Sequence, residues 1–253
     1  MLVCVDVGNT NICLGLFDND KLVKKFRLST NQNQTSDEYG ITVKRLFDFN
    51  NITNIEGVVI GSVVPRIDST LEKMFIDYFN IKPIFVGQGI KSGINIKIDN
   101  PKELGADLLV GAVGASNKYS VPCLIIDMGT AITFVYVNSK KELLGGVITA
   151  GIKTSFSGLF ANTSKLEAVK ISKPKDIIGK NTTNCIQNGM VYGTASMIDG
   201  IIDRIKKEYG SFTTILTGGD SIYVKDHLLN DVICDEDLLF DGLKIIYQKN
   251  KTK

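Results

Sequence analysis

The sequence is poor in the side chains that most often build catalytic triads and metal centres. Its 253 residues contain one histidine, His227, and five cysteines with no CxxC spacing. A single histidine nearly excludes a Ser-His-Asp or Cys-His catalytic system and a histidine-rich metal site. The scattered cysteines favour free thiols in a reducing compartment over disulfides or structural zinc. Chemistry in this chain must therefore be carried by carboxylates, hydroxyls, backbone amides and bound ions.

A strong charge bias and a long apolar run are also missing. The chain has 29 basic and 27 acidic residues, for a net charge of +2, and no extended basic run. We therefore expect no nucleic-acid partner and no membrane partner. No apolar run approaches the length of a membrane-spanning helix, and the first residues already form a predicted strand rather than a signal peptide. These features favour a cytoplasmic protein with one large or two small cores.

One short motif occurs twice, 121 positions apart. An apolar run leads into Asp6-Val7-Gly8-Asn9-Thr10, and a second leads into Asp127-Met128-Gly129-Thr130-Ala131. A carboxylate at a strand end, a glycine that admits a close ligand and a neighbouring hydroxyl or amide suit phosphate and its metal ion. A single copy would equally fit a hairpin that merely needs glycine. The repetition, in phase with the flanking strands, favours two phosphate-binding hairpins that hold a nucleoside triphosphate.

The flanking segments predict two α/β halves, 1–117 and 118–253. Each half opens with three antiparallel strands and continues with helices and further strands, which predicts mixed sheets flanked by helices. The predicted strands are 2–6, 12–17, 22–28, 57–62, 83–86, 122–127, 132–137, 143–149 and 213–217. Helices are predicted at 36–49, 66–79 and 237–248, the first with a capping box formed by Thr35 and Glu38. The lysine-rich tail from Lys249 is expected to fray.

A further helix is predicted to begin at Asn100, with Asn100 as its N-cap and Pro101 in its first turn. Glycines inside a helix cost about 1 kcal/mol each, so those of this segment suggest close approach of a backbone or a ligand: Gly105, Gly111 and Gly114. Asp107 lies among apolar neighbours, where an unpaired carboxylate is costly. Two interpretations of Asp107 remain open at this point, a carboxylate paired with an amide or a lysine, and a general base that faces a substrate.

Two motifs of the second half complete the set. Gly179-Lys180-Asn181-Thr182 looks like the end of a P-loop but lacks the upstream glycine, so Thr182 is its informative residue. Thr217-Gly218-Gly219 follows a predicted strand, at the edge where open sheets bind nucleotides. A tight turn without a ligand is the alternative for the second motif.

Taken in order, these motifs resemble those of type III pantothenate kinases. The resemblance rests on the two hairpins, Gly105-Ala106-Asp107, the Gly179–Thr182 motif with Gln187-Asn188-Gly189 after it, and Thr217-Gly218-Gly219-Asp220. It spans essentially the whole chain. It implies duplicated ribonuclease H-like domains of the actin, Hsp70 and sugar-kinase superfamily. The implied activity is ATP-dependent phosphorylation of pantothenate to 4'-phosphopantothenate, the first step of coenzyme A biosynthesis.

The resemblance also implies a role for particular residues. Asp107 would be the general base for the primary hydroxyl of pantothenate, and Asp127 would bind a monovalent cation, K⁺ or NH₄⁺. Asp6 would hold Mg²⁺, directly or through water. The residues implied to contact ATP are Asp6, Gly8, Asn9, Thr10, Asn11, Thr130, Gly218 and Gly219. Those implied to contact pantothenate are Gly105, Ala106, Asp107, Leu108 and Thr182, with Thr182 reaching the site of a neighbouring subunit in a homodimer.

One residue departs from the family pattern. The family carries Gly-Ala-Asp-Arg, whereas Leu108 follows Asp107 in this chain. The change removes five hydrogen-bond donors and a fixed positive charge, which bears on substrate orientation and affinity. Arg45 and Arg66 lie elsewhere in the sequence as candidate substitutes. Two alternatives therefore stay open, a regulatory binding protein on the same fold and a kinase for another small hydroxy acid.

An apolar stripe follows Thr182 in a predicted long helix. Its members recur at helical spacing: Ile186, Met190, Val191, Ala195, Ile198 and Ile202. The stripe is longer than one core face needs, which favours a homodimer in which part of it packs on the partner. A core helix in a monomer is the alternative.

Overall fold

The computed structural model describes residues 1–163 and 169–251, which form two compact units. The first unit comprises Met1–Ile94, Asp99–Gly114 and Leu238–Lys253, and the second comprises Asn95–Ile98 and Ala115–Asp237. The sequence-based division at residues 117 and 118 assigned the last helix to the second half. In the structure the contacts of that helix group it with the first unit.

The first unit is built on a five-stranded mixed sheet with the order β3-β2-β1-β4-β5. Its first strand pairs antiparallel with the second strand and parallel with the fourth. The strands are β1 (Leu2–Val7), β2 (Asn11–Asp18), β3 (Lys21–Ser29), β4 (Gly57–Ser62) and β5 (Ile84–Phe85). The helices are α1 (Ser36–Phe49), α2 (Asp68–Phe79), the N-terminal part of α3 (Ala106–Lys118) and α6 (Leu238–Asn250).

The second unit has a six-stranded sheet with the order β11-β10-β7-β8-β9-β6. Its strands are β6 (Asn95–Ile96), β7 (Cys123–Met128), β8 (Ala131–Val137), β9 (Glu142–Ala150), β10 (Thr213–Thr217) and β11 (Ile233–Cys234). Its helices are α4 (Ile152–Ala161) and the long α5 (Thr182–Tyr209). The short edge strands β6 and β11 have no counterpart among the predicted strands.

The predicted duplication is confirmed by the two sheet orders. The order β9-β8-β7-β10 of the second unit repeats the order β3-β2-β1-β4 of the first, with the same strand directions. The two hairpin tips differ in length, since Val7 pairs with Ile12 whereas Met128 pairs with Ile132. The first hairpin tip (residues 8–11) is therefore one residue longer than the second hairpin tip (residues 129–131).

Local sequence signals predicted the bounds of one helix correctly and those of another wrongly. Helix α1 has the predicted bounds and the predicted capping box, with Thr35 N–H donating to Glu38 Oε2 at 2.7 Å. The predicted helix start at Asn100 is wrong. Asn100 caps a single 3₁₀ turn, Pro101–Glu103, and the extended backbone of Leu104 separates this turn from α3. Gly105 therefore precedes the helix rather than interrupting it.

The apolar stripe of α5 lies mainly inside the second unit. Val191, Ala195, Ile198 and Ile202 are buried in its core, among side chains from β7, β8 and β10. The core-helix alternative thus explains these four residues, whereas Ile186 and Met190 are half-buried and the homodimer stays a prediction.

Several smaller expectations are also resolved. Lys249 lies within α6, so the predicted fraying does not begin there, and residues 252–253 lie outside the described range. His227 is half-buried rather than on the surface, with its ring 5.0 Å from that of Tyr192. The five thiols are free, but only Cys4 and Cys123 are buried. None of the described helices is long and apolar enough to cross a membrane.

The close packing of α3 and α6 yields a stability prediction. A Cβ atom at Gly242 would lie 2.1 Å from the Val110 carbonyl oxygen. Gly242→Ala should therefore lower the unfolding free energy by about 1–3 kcal/mol through overpacking, measured by thermal or urea unfolding. Gly158→Ala on α4 is the matched control, because a Cβ there meets nothing within 4 Å. Equal stability of the two variants would contradict the packing.

Candidate active site

The first hairpin tip presents backbone and small polar groups at the end of β1. Asp6 is half-buried in β1, whereas Asn9 and Thr10 are exposed. The Gly8 N–H donates to the Asn11 carbonyl at 2.9 Å, which closes one side of the tip. A Cβ at Gly8 would meet only the Asn11 carbonyl oxygen, at 3.4 Å, so the surroundings of Gly8 leave room for a ligand. The structure thus brings together all of the site residues predicted in this hairpin.

The second hairpin tip repeats this arrangement in the second unit. The Gly129 N–H donates to the Ala131 carbonyl at 2.9 Å, and Thr130 is exposed. The Thr130 carbonyl accepts from Gly151 N–H at 3.0 Å and from Thr154 Oγ1 at 2.6 Å. A Cβ at Gly151 would lie 2.2 Å from the Gly129 carbonyl oxygen, so only glycine fits beside this tip. Gly151 and Thr154 were not predicted as site residues.

The glycine motif after β10 packs directly on the end of β7. Gly218 has φ +90°, and a Cβ there would lie 2.3 Å from Asp127 Oδ1. The Asp220 N–H donates to the Met128 carbonyl at 3.1 Å, which holds the motif against the strand. The structure therefore brings together Asp127 and Gly218, two of the predicted site residues, with Gly219 exposed beside them.

Lys153 contributes a cation next to the glycine motif. Its Nζ lies 2.5 Å from Asp220 Oδ1 and 5.7 Å from the centre of the Tyr223 ring. Asp220 is buried, whereas the Lys153 side chain is 60% exposed. The ion pair joins the start of α4 to the loop after β10. Nothing in the sequence around Lys153 indicated this contact, because its partner lies 67 positions away.

The surroundings of Asp127 fit a bound cation. Thr217 and Thr133 are the strand partners of Asp127 on either side, so the three side chains share one face of the sheet. The Thr217 hydroxyl oxygen is buried and has no hydrogen-bond partner, which leaves an oxygen in need of a donor or an ion. Among residues 1–163 and 169–251, no group of three His, Cys, Asp or Glu side chains could hold a metal. A cation at this position would therefore depend on hydroxyl or ligand oxygens besides Asp127.

Asp107 is the second residue of α3 and is half-buried. Its Oδ1 accepts from Leu108 N–H at 2.8 Å, and a Cβ at Gly105 would lie 2.4 Å from the same oxygen. Burial raises the pKa of the Asp107 carboxyl above its ordinary value, and the hydrogen bond from Leu108 opposes this shift. A raised pKa improves a carboxylate as a proton acceptor near neutral pH. The predicted pairing of Asp107 with a backbone amide is confirmed, and its role as a general base stays a prediction.

An arginine that the sequence analysis did not single out lies close to Asp6 in the sheet. Cys13 is the strand partner of Asp6, and Arg27 is the strand partner of Cys13, so these side chains share one face. Burial raises the pKa of the Cys13 thiol, and the Arg27 guanidinium opposes this shift. The named candidates Arg45 and Arg66 are exposed, on α1 and on the 3₁₀ turn Pro65–Ile67. Arg27 could have been found from the alternation of β2 and β3 had their register been known.

The Gly179–Thr182 motif is a helix start rather than a phosphate loop. Asn181 is the N-cap of α5 and accepts from Asn184 N–H at 2.9 Å, and Thr182 is the exposed first residue of the helix. A Cβ at Gly179 would lie 2.4 Å from the Cys185 nitrogen, which explains the glycine without a ligand. Within its own unit Thr182 therefore has no role in the core.

Comparisons with known proteins agree with this geometry. The family model for type III pantothenate kinase matches residues 2–204. Proteins named type III pantothenate kinase from an Exiguobacterium species and a Geobacillus species are 43% and 44% identical to this chain. The alignments cover 99% and 100% of this chain and 100% and 99% of those relatives, respectively.

Solved structures of lower identity support the fold. An activator of 2-hydroxyisocaproyl-CoA dehydratase from Clostridium difficile, with bound ADPNP, superposes with a TM-score of 0.55 at 12% identity. The match covers 100% of this chain and 98% of that protein. This likeness confirms the predicted α/β fold of mixed sheets with flanking helices. Since the family model and the full-length relatives agree, the chain belongs to the type III pantothenate kinase family.

Proposed function

We propose that this chain transfers a phosphoryl group from ATP to the primary hydroxyl of pantothenate, as the first step of coenzyme A biosynthesis. The observation that carries the proposal is the family match over residues 2–204, a range that contains Asp6, Asp107 and Asp127. The alternative of a purely regulatory protein would not require Asp107 at a helix start with a raised pKa. The geometry therefore favours catalysis.

The residues of the chain have separate tasks in this reaction. Phosphoryl transfer depends mainly on alignment and on neutralising phosphate charge. The backbone amides of the first hairpin tip would bind phosphate oxygens, with Thr130 and the glycines at 218 and 219 as further ATP contacts. Asp107 would accept the proton of the attacking hydroxyl, and Gly105, Ala106 and Leu108 would line the pantothenate site. Leu108 gives this site an apolar contact where the family has a cation.

Two ions complete the proposed site. Mg²⁺ would be held by Asp6, directly or through water, and a monovalent cation by Asp127. Bound there, they would neutralise the phosphate charge. The absence of a protein-only carboxylate cluster in the described part of the chain is consistent with Mg²⁺ held largely by phosphate oxygens. The buried Thr217 hydroxyl supports the monovalent site.

We propose a cytoplasmic homodimer, on grounds other than the apolar stripe. The face of α5 opposite its buried stripe carries small residues: Gly189, Gly193, Ser196 and Gly200. A Cβ at any of these three glycines would meet nothing within 4 Å. Helix glycines cost about 1 kcal/mol each, and nothing described in this chain requires them. A partner backbone packed against this face would explain them, and the exposed Thr182 at the start of α5 could then reach the partner's pantothenate.

The first prediction concerns the base. Asp107→Asn keeps the shape of the side chain but removes the proton acceptor, so turnover should fall about 10²–10⁴-fold, as measured by coupled ADP release with pantothenate. In the wild type, kcat/KM should fall as the pH drops through the raised pKa of Asp107, because the base must be deprotonated. A variant with more than about a tenth of wild-type rate would exclude Asp107 as the base. Supplying other small hydroxy acids in the same assay tests the effect of Leu108 on acceptor choice.

The second prediction concerns the monovalent cation. Turnover should be higher in potassium or ammonium than in tris-only buffer. Thr217→Val removes a buried oxygen with little change of volume and should raise the potassium concentration for half-maximal rate about tenfold. Thr213→Val, at the opposite end of β10, is the matched control. Equal rates with and without potassium would refute the assignment of Asp127.

The third prediction concerns the dimer. Gly193→Leu should produce monomers in light scattering, because the added side chain occupies the proposed contact. Lys44→Leu, at an exposed position of α1, is the control and should leave the dimer intact. Thr182→Ala should raise the KM for pantothenate far more than the KM for ATP. A fully active wild-type monomer would refute both the dimer and the assigned role of Thr182.

A further inference from the structure

In both units, the residue that follows the third strand donates a hydrogen bond to the hairpin tip. The Thr30 N–H, after β3, donates to the Thr10 carbonyl at 3.0 Å. The Gly151 N–H, after β9, donates to the Thr130 carbonyl at 3.0 Å. The two contacts occupy equivalent positions in the duplicated sheets, because each extends the pairing of the second and third strands by one residue. The third strand therefore supports each tip from the same side.

The Thr30 side chain adds a second bond in the first unit. Its hydroxyl donates to the Gly8 carbonyl at 2.6 Å. In an ordinary two-residue hairpin that carbonyl would accept from the Asn11 N–H. Residues 9 and 10 instead form a bend without the turn hydrogen bond, and only the Gly8 N–H to Asn11 bond is made. The Gly8 carbonyl thus accepts from the Thr30 hydroxyl rather than from the Asn11 N–H.

The planarity of the peptide bond fixes the consequence. In a trans peptide, the carbonyl of one residue and the N–H of the next point in opposite directions. Because the Gly8 and Thr10 carbonyls both point to Thr30, the N–H groups of Asn9 and Asn11 point away from it. Two amides directed to the same side, next to a glycine, form a favourable site for an anion. Without the hydroxyl, the Gly8 carbonyl could rotate toward Asn11 and place negative partial charge in that site.

The second unit achieves the same orientation with different donors. Its tip has one residue fewer, and the Thr130 carbonyl accepts from both Gly151 N–H and Thr154 Oγ1. The Ala131 N–H therefore points away from the third strand. Thr154 is exposed, whereas Thr30 is half-buried, so the threonine should matter less in the second unit.

We propose that Thr30 is a positioning residue for nucleotide binding, which holds the first hairpin tip with its amides directed at the phosphates, and that Thr154 has the lesser equivalent role. The identity of the nucleotide as ATP rests on the proposed function. The orientation of the amides rests only on the contacts of Thr30. Thr30 itself does not touch the phosphate, because its hydroxyl is engaged with the Gly8 carbonyl.

The experiment compares Thr30→Val, which loses the hydroxyl, with Thr30→Ser, which keeps it. Affinity for ADP in the presence of magnesium is measured by calorimetry without pantothenate, so that acceptor identity does not enter. Thr30→Val should weaken ADP binding about tenfold, as expected for one buried hydrogen bond and the orientation it holds. Thr30→Ser should bind like wild type, and the KM for pantothenate should be unchanged in both variants. Thr154→Val should weaken binding less than Thr30→Val.

The outcomes separate this inference from the proposed function. Wild-type affinity in Thr30→Val would overturn the inference. Equal impairment of Thr30→Ser would also overturn it, because binding would then be weakened even though the hydroxyl is retained. If Thr30→Val does not fold, ADP binding by Thr30→Ser and by Thr154→Val is compared with that of the wild type. The inference would be refuted if Thr154→Val binds ADP as the wild type does while Thr30→Ser binds it more weakly. A wild-type protein that binds ADP but does not phosphorylate pantothenate would contradict the proposed function alone.

Discussion

The hydrogen bonds that tie each hairpin tip to the end of the third strand are the constraint on which the rest of the site depends. A β-hairpin satisfies its own amides and carbonyls, and it then offers nothing to a phosphate. Here the tip carbonyls accept hydrogen bonds from outside the hairpin. The donor is Thr30 in one unit, and the donors are Gly151 and Thr154 in the other. The amides on the opposite side of the same peptides become available. Each tip is thus supported by the third strand as well as by the two strands that it joins.

The second half of the site depends on close backbone packing that only glycine permits. Gly218 combines a positive φ with a hypothetical Cβ 2.3 Å from the Asp127 carboxylate, and Gly151 lies against the Gly129 carbonyl. A side chain at either position would displace the tip or the carboxylate. These glycines therefore place Asp127 and the loop after β10 in fixed contact. The Thr217 hydroxyl oxygen next to them is buried without a hydrogen-bond partner among the described residues.

Sequence patterns predicted the fold better than they predicted the site contacts. The repeated aspartate and glycine motif, with its flanking apolar segments, was sufficient for the duplicated architecture, because strand periodicity and hairpin spacing are local properties. The helix start at Asn100 was wrong, since a good N-cap can serve a single 3₁₀ turn equally well. The helical spacing of the α5 stripe did not show which of its residues would be buried, because packing against β7, β8 and β10 is a tertiary property. Thr30, Arg27 and Lys153 act on residues distant in sequence, so no local pattern could identify them.

The central proposal is that the hairpin tip of each unit binds phosphate oxygens through backbone amides. Amide hydrogen exchange, followed by mass spectrometry or NMR with and without a non-hydrolysable ATP analogue and magnesium, tests it most directly. The account predicts slower exchange for the Asn9 and Asn11 amides of the first tip and the Ala131 amide of the second tip when the analogue is bound. Protection confined to one tip, or to neither while the analogue is shown to bind, would contradict it.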